Sequence, residues 1–556
     1  AAFKNPVIND NPDGWGPPMD LAPARFQDMP YAPFAKGDRL GRAADWTAHG
    51  RYAASATATD PGAAGTEFVT VDTKAVARPP GRGGFRGGRG GAGRGGGGGG
   101  DRGGDRGGQR RGGPGAIGAG PGGARQTHRR WDERRNFQRE ASVDVGADWS
   151  LVEELTGSAL AKLTYKNVSP ATDITTCGSL RYFDRTYDRI TVKTSRPLKM
   201  FDNLDFPSVT TTLDPIIRRI ASSGEGTVFA TASILSLLMV CPRSVHSWDI
   251  VVQRIGGKLF LEKRDSSNID LPMVNETSHD APKDEKALLP EEAVNSIQHL
   301  AQEANAINHN FSQAALLPEA EGTYDFAEPD PFDEDDDGDN DEQGDTTNGN
   351  KTTTKHASQG YRYRKWTLGA TEEGGKPITI VARCDVSCAT KPTKEGADPE
   401  FLSVKALNEY FDRNARQSTD WRAKLDSQRG AVLATEVKNN ANKLARWTAE
   451  ALLADVSQIK FGFVSRTKAQ EAVHHIILGT QMYRPKEFAA QINLNVHNMW
   501  GILKQIIDLC YRHMEDGEKA VIMKDPNKSI IRFYKVPSNA FEEDDEDEDD
   551  ESGNDE

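Results

Sequence analysis

The segment DWRAKLDSQRGAVLATEVKNNANKLARW, residues 420–447, brings an apolar run, paired charges and a basic helix closest together in this chain. Residues 431–437 are largely apolar and show an alternation of apolar and polar side chains, which predicts a half-buried strand. The two-residue period of a strand places Glu436 and Lys438 on one face. Arg429 adds a cation just upstream. This density of charge beside an apolar strand is typical of a functional site.

A helix is predicted directly after this strand, with Asn439 and Asn440 at its start as capping residues. The spacing of the following residues gives the helix an apolar stripe and a polar side. The stripe comprises Leu444, Trp447, Ala451 and Leu452, and the polar side carries Lys443 and Arg446.

Short strands and helices continue in both directions from this segment. The glycine pair 256–257 between apolar runs predicts a two-residue hairpin, and the Asp-Pro pair 214–215 predicts the start of a helix. We also predict a strand pair over 181–193 and a buried helix over 227–240. The sequence therefore predicts an α+β fold, with mixed β-sheets packed together and flanked by helices.

Two polar stretches in this region are candidates for RNA contact. Residues 361–366, YRYRKW, alternate aromatic residues with cations, which suits an RNA-facing strip or, equally, a strand with its aromatics packed inward. A helix predicted over 292–307 ends in a cluster of Asn305, Asn308 and His309. That cluster can read base edges or phosphates, or it can satisfy the helix end.

Charge divides the chain into regions of different character. The formal net charge of -13 is concentrated in residues 328–345 and 542–556, which carry 11 and 12 carboxylates, so the remainder is basic. A basic body with acidic runs suits an RNA or ribosome partner. Within the tail, Ser552 precedes an aspartate at the spacing of an acid-directed phosphorylation site.

The first 140 residues carry two segments that do not predict a core. Residues 1–80 are predicted to form an extended arm whose unpatterned aromatics bind other subunits, namely Trp15, Phe26, Tyr31, Phe34 and Trp46. Residues 81–140 are predicted to be a disordered segment that binds RNA weakly through seven Arg-Gly-Gly triplets, which begin at Arg82, Arg86, Arg89, Arg94, Arg102, Arg106 and Arg111.

The remaining domain boundaries follow from these shifts in composition. We predict a globular domain over 141–540, with a gate-like polar insertion over 264–291, an acidic disordered loop over 328–358 and an acidic tail over 541–556. The five cysteines are scattered, which indicates structural thiols in a reducing compartment rather than a disulfide framework. The apolar run 227–240 is too short to span a membrane, so we expect a soluble, cytoplasmic protein without a membrane partner.

The chain contains the motifs NPDGWGP, FQDMPYAPFAKGDRLGRAADW, RSVHSWDIVVQRIGGKLF, AINHNFSQ, YRYRKW, LDSQRGAVLATEVKNN, EFAAQINL and KDPNK. Together these motifs resemble those of one subunit family of the eukaryotic translation initiation factor 3 complex. The resemblance implies an RNA-binding subunit of that complex, with partners among its other subunits, the small ribosomal subunit and capped mRNA. It also implies a domain similar in fold to decapping exonucleases that recognises the 5′ cap.

The resemblance further implies which residues contact the cap. They are Val245 and His246 in SVHSWD, with Asn305, Asn308 and His309 around AINHNF; the polar insertion corresponds to a gate. Family members commonly have tyrosine at His246 and an acidic residue at Ala232.

Two functions from different classes fit these residues: a cap-binding scaffold subunit and an active metal-dependent decapping nuclease. Glu436-Val437-Lys438 resembles a motif of the decapping enzymes, whose metal centres need several converging carboxylates. Asp249, Glu262 and Asp385 are weak candidates, and Arg383 stands where a ligand is expected. We therefore predict no catalysis, no metal and no cofactor. The charge pair is predicted to contact RNA or to fix the strand as an ion pair.

Overall fold

Two large β-sheets, of ten and five strands, a separate two-stranded pair and the surrounding helices make up the regular structure of the described residues. This computed structural model describes residues 139–541, apart from 202, 265–266, 286–287, 333–354, 371–375, 393–397 and 411–419. The predicted α+β class with mixed sheets is confirmed for these residues.

Several predictions fall beyond this range. The arm, the Arg-Gly-Gly triplets, the acidic tail with Ser552 and most of the acidic loop over 328–358 lie outside the described residues.

The strands are numbered in chain order. They are β1 Ser150–Thr156, β2 Thr172–Arg181, β3 Arg196–Pro197, β4 Leu204–Asp205, β5 Val228–Thr231, β6 Asp249–Ile255, β7 Lys258–Glu262, β8 Thr323–Asp325, β9 Lys355–His356, β10 Gly360–Leu368, β11 Ile378–Val386, β12 Cys388–Ala389, β13 Phe401–Asn408, β14 Gln458–Arg466, β15 His475–Tyr483, β16 Lys519–Lys524 and β17 Ile530–Val536.

The large sheet has the order β1-β17-β16-β6-β7-β5-β11-β10-β2-β8, and the small sheet has the order β12-β13-β14-β15-β3. β5 pairs in parallel with β7 and β11, and β13 pairs in parallel with β14. β4 and β9 form a separate parallel pair. At one edge of the large sheet, β1 is antiparallel to β17, with Ser150 opposite Lys535. The first strand of the described fold therefore obtains its hydrogen-bonded partner only from the last strand.

The α-helices are also numbered in chain order. They are α1 Gly157–Leu160, α2 Pro215–Ser222, α3 Ala232–Met239, α4 Ile297–Ala314, α5 Trp421–Lys424, α6 Arg429–Asn439, α7 Ala441–Ala454, α8 Pro485–Gln491 and α9 Val496–His513. α3 packs against both α7 and α9, and these helices share the largest hydrophobic core with strands of both sheets.

Two local predictions are confirmed. The hairpin joins β6 to β7, and Gly256 and Gly257 have φ of 57° and 73°, the left-handed values that a two-residue turn of this kind requires. At the start of α2, the buried carboxylate of Asp214 accepts hydrogen bonds from the backbone N–H groups of Ile216 and Ile217 at 2.9 and 3.0 Å.

The strand predicted over 431–437 is wrong, because these residues belong to helix α6. Glu436 is buried and Lys438 is exposed, since two positions along a helix are about 200° apart around its axis. Asn440 precedes α7 without a side-chain cap, and Lys443 is buried rather than on a polar side.

Three further element predictions need correction. The strand pair over 181–193 is replaced by the end of β2 and two 3-10 turns. The helix over 227–240 is divided into β5 and α3, because Thr231 ends the strand and its hydroxyl accepts a bond from Ile234 N at 3.4 Å. The helix over 292–307 begins at Ile297 and continues to Ala314, so its Asn and His cluster lies mid-helix.

The alternating segment 361–366 lies in β10 with its aromatics packed inward. Tyr361 and Tyr363 are buried, and the Tyr363 hydroxyl donates to Asp214 at 3.0 Å. Arg364 is also buried, and its Nε lies 2.8 Å from an oxygen of Asp173. Of the two alternatives left open by the sequence, packing describes this strand.

The five cysteines are all buried with free thiols. Among the residues that the structure describes, no helix combines the length and the apolar character needed to cross a membrane.

Candidate functional site

The SVHSWD loop holds Val245 and His246 in a tightly bonded turn between α3 and β6. Ser244 Oγ donates to the carbonyl of His246 at 3.0 Å and accepts from Trp248 Nε1 at 3.1 Å. Ser247 Oγ donates to the carbonyl of Lys524 at 2.7 Å, which ties the loop to β16. The loop therefore presents His246 from a fixed backbone.

His246 is half-buried and uncharged at neutral pH. Burial, with the charges of Arg139 and Lys524, lowers its pKa to about 4. The ring is therefore a neutral aromatic surface with one acceptor and one donor nitrogen.

A cavity of about 210 Å³ lies beside this loop. Its walls come from the chain segment 140–142, the SVHSWD loop, the polar insertion and α7. Asp249 and Arg264, both in the lining, form an ion pair at 2.6 Å. His246 therefore lines a concave site, which no pattern in the sequence indicated.

The polar insertion is docked against the α6–α7 junction. Asn275 N donates to Asn440 Oδ1 at 2.8 Å, and Asn440 Nδ2 donates to Asn275 Oδ1 at 3.0 Å. Thr277 Oγ1 donates to the carbonyl of Lys438 at 2.6 Å. These bonds hold the insertion over the cavity wall; its role as a gate stays a prediction.

A cluster of buried charges lies beneath this docking point. Burial raises the pKa of Glu436 to about 7, with a further rise from Glu409 and an opposing effect of Lys443. Asn440 Nδ2 donates to Glu436 Oε2 at 2.8 Å. Burial lowers the pKa of Lys443, against the attraction of Glu436 and Glu276. Glu436 is therefore part of the interior.

The predicted cluster in α4 packs along β13. Asn308 Oδ1 accepts from the backbone N–H of Ala406 at 3.0 Å, so Asn308 satisfies a donor on the free side of that strand. His309 stacks on Phe206 with ring centroids 3.9 Å apart. Burial and the charge of Lys405 lower the pKa of His309 to about 4. Asn305 is half-buried on the same helix.

One face of α7 joins the two predicted groups. Asn442, Arg446 and Glu450 recur every four residues, so they form a row about 12 Å long. Asn442 and Arg446 line the cavity. Glu450 pairs with Lys405 of β13 at 3.5 Å, and Lys405 is the cation that acts on His309. The structure thus places His246 and His309 near opposite ends of one polar row.

The charged residues of α6 lie away from this row. Glu436 and Lys438 do not line the cavity, and neither does Arg429, which is half-buried at the start of α6. Burial raises the pKa of Tyr483 in β15, and the charge of Arg429 opposes that rise, so Arg429 lies near β15. Their contact with RNA stays a prediction.

The residues present do not fit the metal centre expected of a decapping enzyme. Asp249 is paired with Arg264. The Glu262 carboxylate accepts from the backbone N–H of Thr211 and Thr212 at 2.9 and 2.7 Å. Arg383 lies 3.6 Å from Asp385 and repels a cation there. Within the described part of the chain, no three acidic, His or Cys side chains converge as metal ligands.

Comparison with known proteins identifies the family. The family model described as "Eukaryotic translation initiation factor 3 subunit 7 (eIF-3)" matches residues 3–535. The chain belongs to this family. Relatives that carry the name of the D subunit of eukaryotic translation initiation factor 3 include those of Nasonia vitripennis, at 43% identity over 98% of this chain and 94% of the relative, and Homo sapiens, at 41% identity over 98% and 96%.

Solved structures similar to this initiation factor 3 family member include Rai1 of Scheffersomyces stipitis in complex with (3′-NADP)+ and calcium ion. That match covers 71% of this chain and 94% of Rai1, at 12% identity and a TM-score of 0.41. Dxo1 of K. lactis in complex with manganese covers 69% and 96%, at 9% identity and a TM-score of 0.34.

Three residues of the site in this initiation factor 3 family member escaped the sequence patterns: Glu276, Asn442 and Lys405. Glu276 lies in an insertion without any period, and Asn442 follows two other asparagines. Of the three, Lys405 alone gives a sequence signal, as the single charged residue of its strand.

Proposed function

We propose that this chain is a non-catalytic RNA-binding subunit of the cytoplasmic translation initiation factor 3 complex. It recognises the 5′ cap of selected mRNAs and helps recruit them to the small ribosomal subunit. The observation that supports this is the polar row on α7, which runs from the His246 cavity towards Lys405 and His309.

The row separates two kinds of contact. The cavity is large enough for one ring system, and its neutral His246 offers an aromatic surface to a base. Lys405, about one fifth exposed, offers a cation to the phosphates that follow the cap. A capped 5′ end has this sequence of parts: a base, then phosphates.

The proposal includes partners at the N-terminal end of the chain. The arm aromatics, from Trp15 to Trp46, bind other subunits of the factor. The arginines of the seven triplets, from Arg82 to Arg111, add RNA affinity that falls as salt rises.

The absence of catalysis is part of the proposal. Asp249, Glu262 and Asp385 are engaged by neighbouring groups, so they do not supply free ligands for two metal ions. Incubation of capped RNA with the full chain and Mn²⁺ tests this, with Glu436→Ala alongside. Metal-dependent shortening of the RNA that Glu436→Ala abolishes contradicts the proposal.

Crosslinking to capped RNA tests the binding site. Crosslinking of the full chain is expected at the cap and to be competed by a cap analogue. His246→Ala and His309→Ala are expected to weaken it severalfold, whereas His474→Ala, at an exposed histidine in a separate ion pair, leaves it unchanged. We avoid Asn308→Ala here because it removes a backbone partner of β13.

Lys405→Ala separates phosphate contact from cap contact. We expect weaker binding to capped and uncapped RNA alike. The slope of log affinity against log salt concentration should fall by the amount that one phosphate contact contributes, about one. If both histidine variants crosslink like the parent chain, the site assignment is wrong.

A further inference from the structure

Two acceptor atoms on the cavity wall have no hydrogen-bond partner. They are Glu276 Oε1, from the polar insertion, and Asn442 Oδ1, from α7. The two residues are only 4% and 7% exposed. A buried acceptor without a donor costs free energy, so a ligand that donates hydrogen bonds to these two atoms would be stabilised by them.

The two acceptors are neighbours, and a hydrogen-bond donor, Arg446, lies one helical turn beyond Asn442 on α7. The side chain of Asn442 contacts the Glu276 carboxyl. Arg446, one turn further along α7, has an Nε without a partner and lines the same cavity. This wall therefore presents an acceptor, an acceptor and a donor in one region.

The remaining walls suit a flat heterocycle. Trp248, Leu237 and Ile269 supply apolar surface, and the volume of about 210 Å³ lies below that of a pocket for a drug-sized molecule. The exposed Asn268 and half-buried His246 lie in the lining, which gives the cavity access to solvent.

We propose that Glu276 and Asn442 accept hydrogen bonds from N1–H and N2–H₂ of a guanine base in this cavity, with Arg446 Nε donating to O6. Among the common bases, guanine alone places two donors side by side on its Watson–Crick edge. Adenine and cytosine place a ring acceptor beside their amino group, and uracil has one N–H between two carbonyls. The inference rests on the proposed function, because it assigns the base of the cap to this cavity.

The charge of the carboxylate adds to this preference. Methylation of guanine at N7 gives the ring a positive charge, which strengthens a hydrogen bond to the Glu276 carboxylate. Burial raises the pKa of Glu276, and contacts with Asn442, Lys443, Arg446 and the backbone of Val245 act against that rise.

Binding of the full chain to RNAs that differ only in the cap base tests the proposal. The probes carry 7-methylguanosine, 7-methylinosine, which lacks the N2 amino group, or adenosine. We expect the guanosine cap to bind about tenfold more tightly than the others. Glu276→Gln is expected to lose about tenfold in affinity for the guanosine cap and for the inosine cap, which keeps N1–H, and to bind the adenosine cap as the parent chain does.

Two further variants control this experiment. Asn442→Ser removes the second acceptor and is expected to lower the guanosine preference severalfold, which gives a measurement independent of Glu276. Asp280→Asn changes an exposed carboxylate of the same insertion and is expected to change nothing. Thermal melting identifies which variants are folded.

The outcomes separate this inference from the proposed function. If the parent chain binds all caps and uncapped RNA equally, the proposed function itself fails. If it prefers the guanosine cap and either folded variant, Glu276→Gln or Asn442→Ser, keeps the full preference over the adenosine cap, the inference is wrong and the function stands.

Discussion

Two buried glutamates act on the same lysine, and of the two Glu276 lines the cavity beside the SVHSWD loop. Glu436, in α6, accepts a hydrogen bond from Asn440 at 2.8 Å and is held within the protein interior. Glu276, in the polar insertion, keeps one oxygen without a partner at the cavity wall. Both interact electrostatically with Lys443.

The difference between them shows where specificity can reside. A buried carboxylate that accepts a bond from its own fold, as Glu436 does from Asn440, fixes the packing of the elements around it. A carboxylate with an open lone pair offers a ligand the bond that the fold did not make. The charged motif around Glu436 therefore marks the scaffold, and Glu276 marks the candidate site.

The comparison depends first on Lys443, the cation common to both glutamates. Lys443→Met leaves Glu436 and Glu276 buried without that charge, so we expect a loss of about 3 kcal/mol in the free energy of unfolding. Urea denaturation measures it. Lys438→Met, at the exposed lysine of α6, is the matched control and is expected to cost less than about 0.5 kcal/mol. Equal effects of the two changes contradict a shared role for Lys443.

The pH dependence of stability sharpens the comparison for Glu436. Its pKa of about 7 in the folded chain lies above the ordinary 4.5, so the folded state binds this proton more tightly. The stabilising contribution is complete below about pH 4.5 and is lost as the pH rises towards 7.

Glu436→Gln removes this titration. We expect the stability of the parent chain, relative to the variant, to fall by at most about 1.4 kcal/mol per pH unit between pH 4.5 and 7. Parallel urea unfolding at several pH values measures the slope. Lys443 and Glu409 also face this carboxyl, so Glu409→Gln is measured beside it. A flat difference between parent and variant shows that Glu436 does not titrate in this range.

The smallest effect is expected at the mouth of the cavity. His246→Tyr gives a larger aromatic surface for a methylated base, so we expect a gain of about 0.5–1 kcal/mol in binding to the guanosine cap. Fluorescence anisotropy with capped and uncapped RNA measures it, with His474→Tyr as the exposed control. A gain that is equal for uncapped RNA indicates a contact other than the cap base.

Local chemistry explains which elements the sequence predicts. The turn at Gly256 and Gly257 and the start of α2 at Asp214 depend on residues whose backbone preferences are strong. Residues 431–437 carry no such signal, because a short apolar run fits a strand or a helix. Burial of Val432, Leu433 and Glu436 on one side decides for the helix, and that burial is set by distant elements.

The candidate site divides in the same way. Motif resemblance points to His246 and His309, and the structure places them near one polar row. Glu276 and Asn442 come from segments far apart in the chain and meet only when the insertion docks on α7. No residue spacing in the sequence predicts that these two side chains lie side by side.

The pairing of β1 with β17 has a consequence for synthesis on the ribosome. Ser150 pairs with Lys535, so β1 stays unpaired while almost the whole remaining domain is translated, which takes about 20–80 seconds at about 5–20 residues per second. During that time β6, which later pairs with β16, also has one edge without its partner. The large sheet is therefore completed only after the closing hairpin leaves the exit tunnel, which makes the nascent chain a candidate client for chaperones.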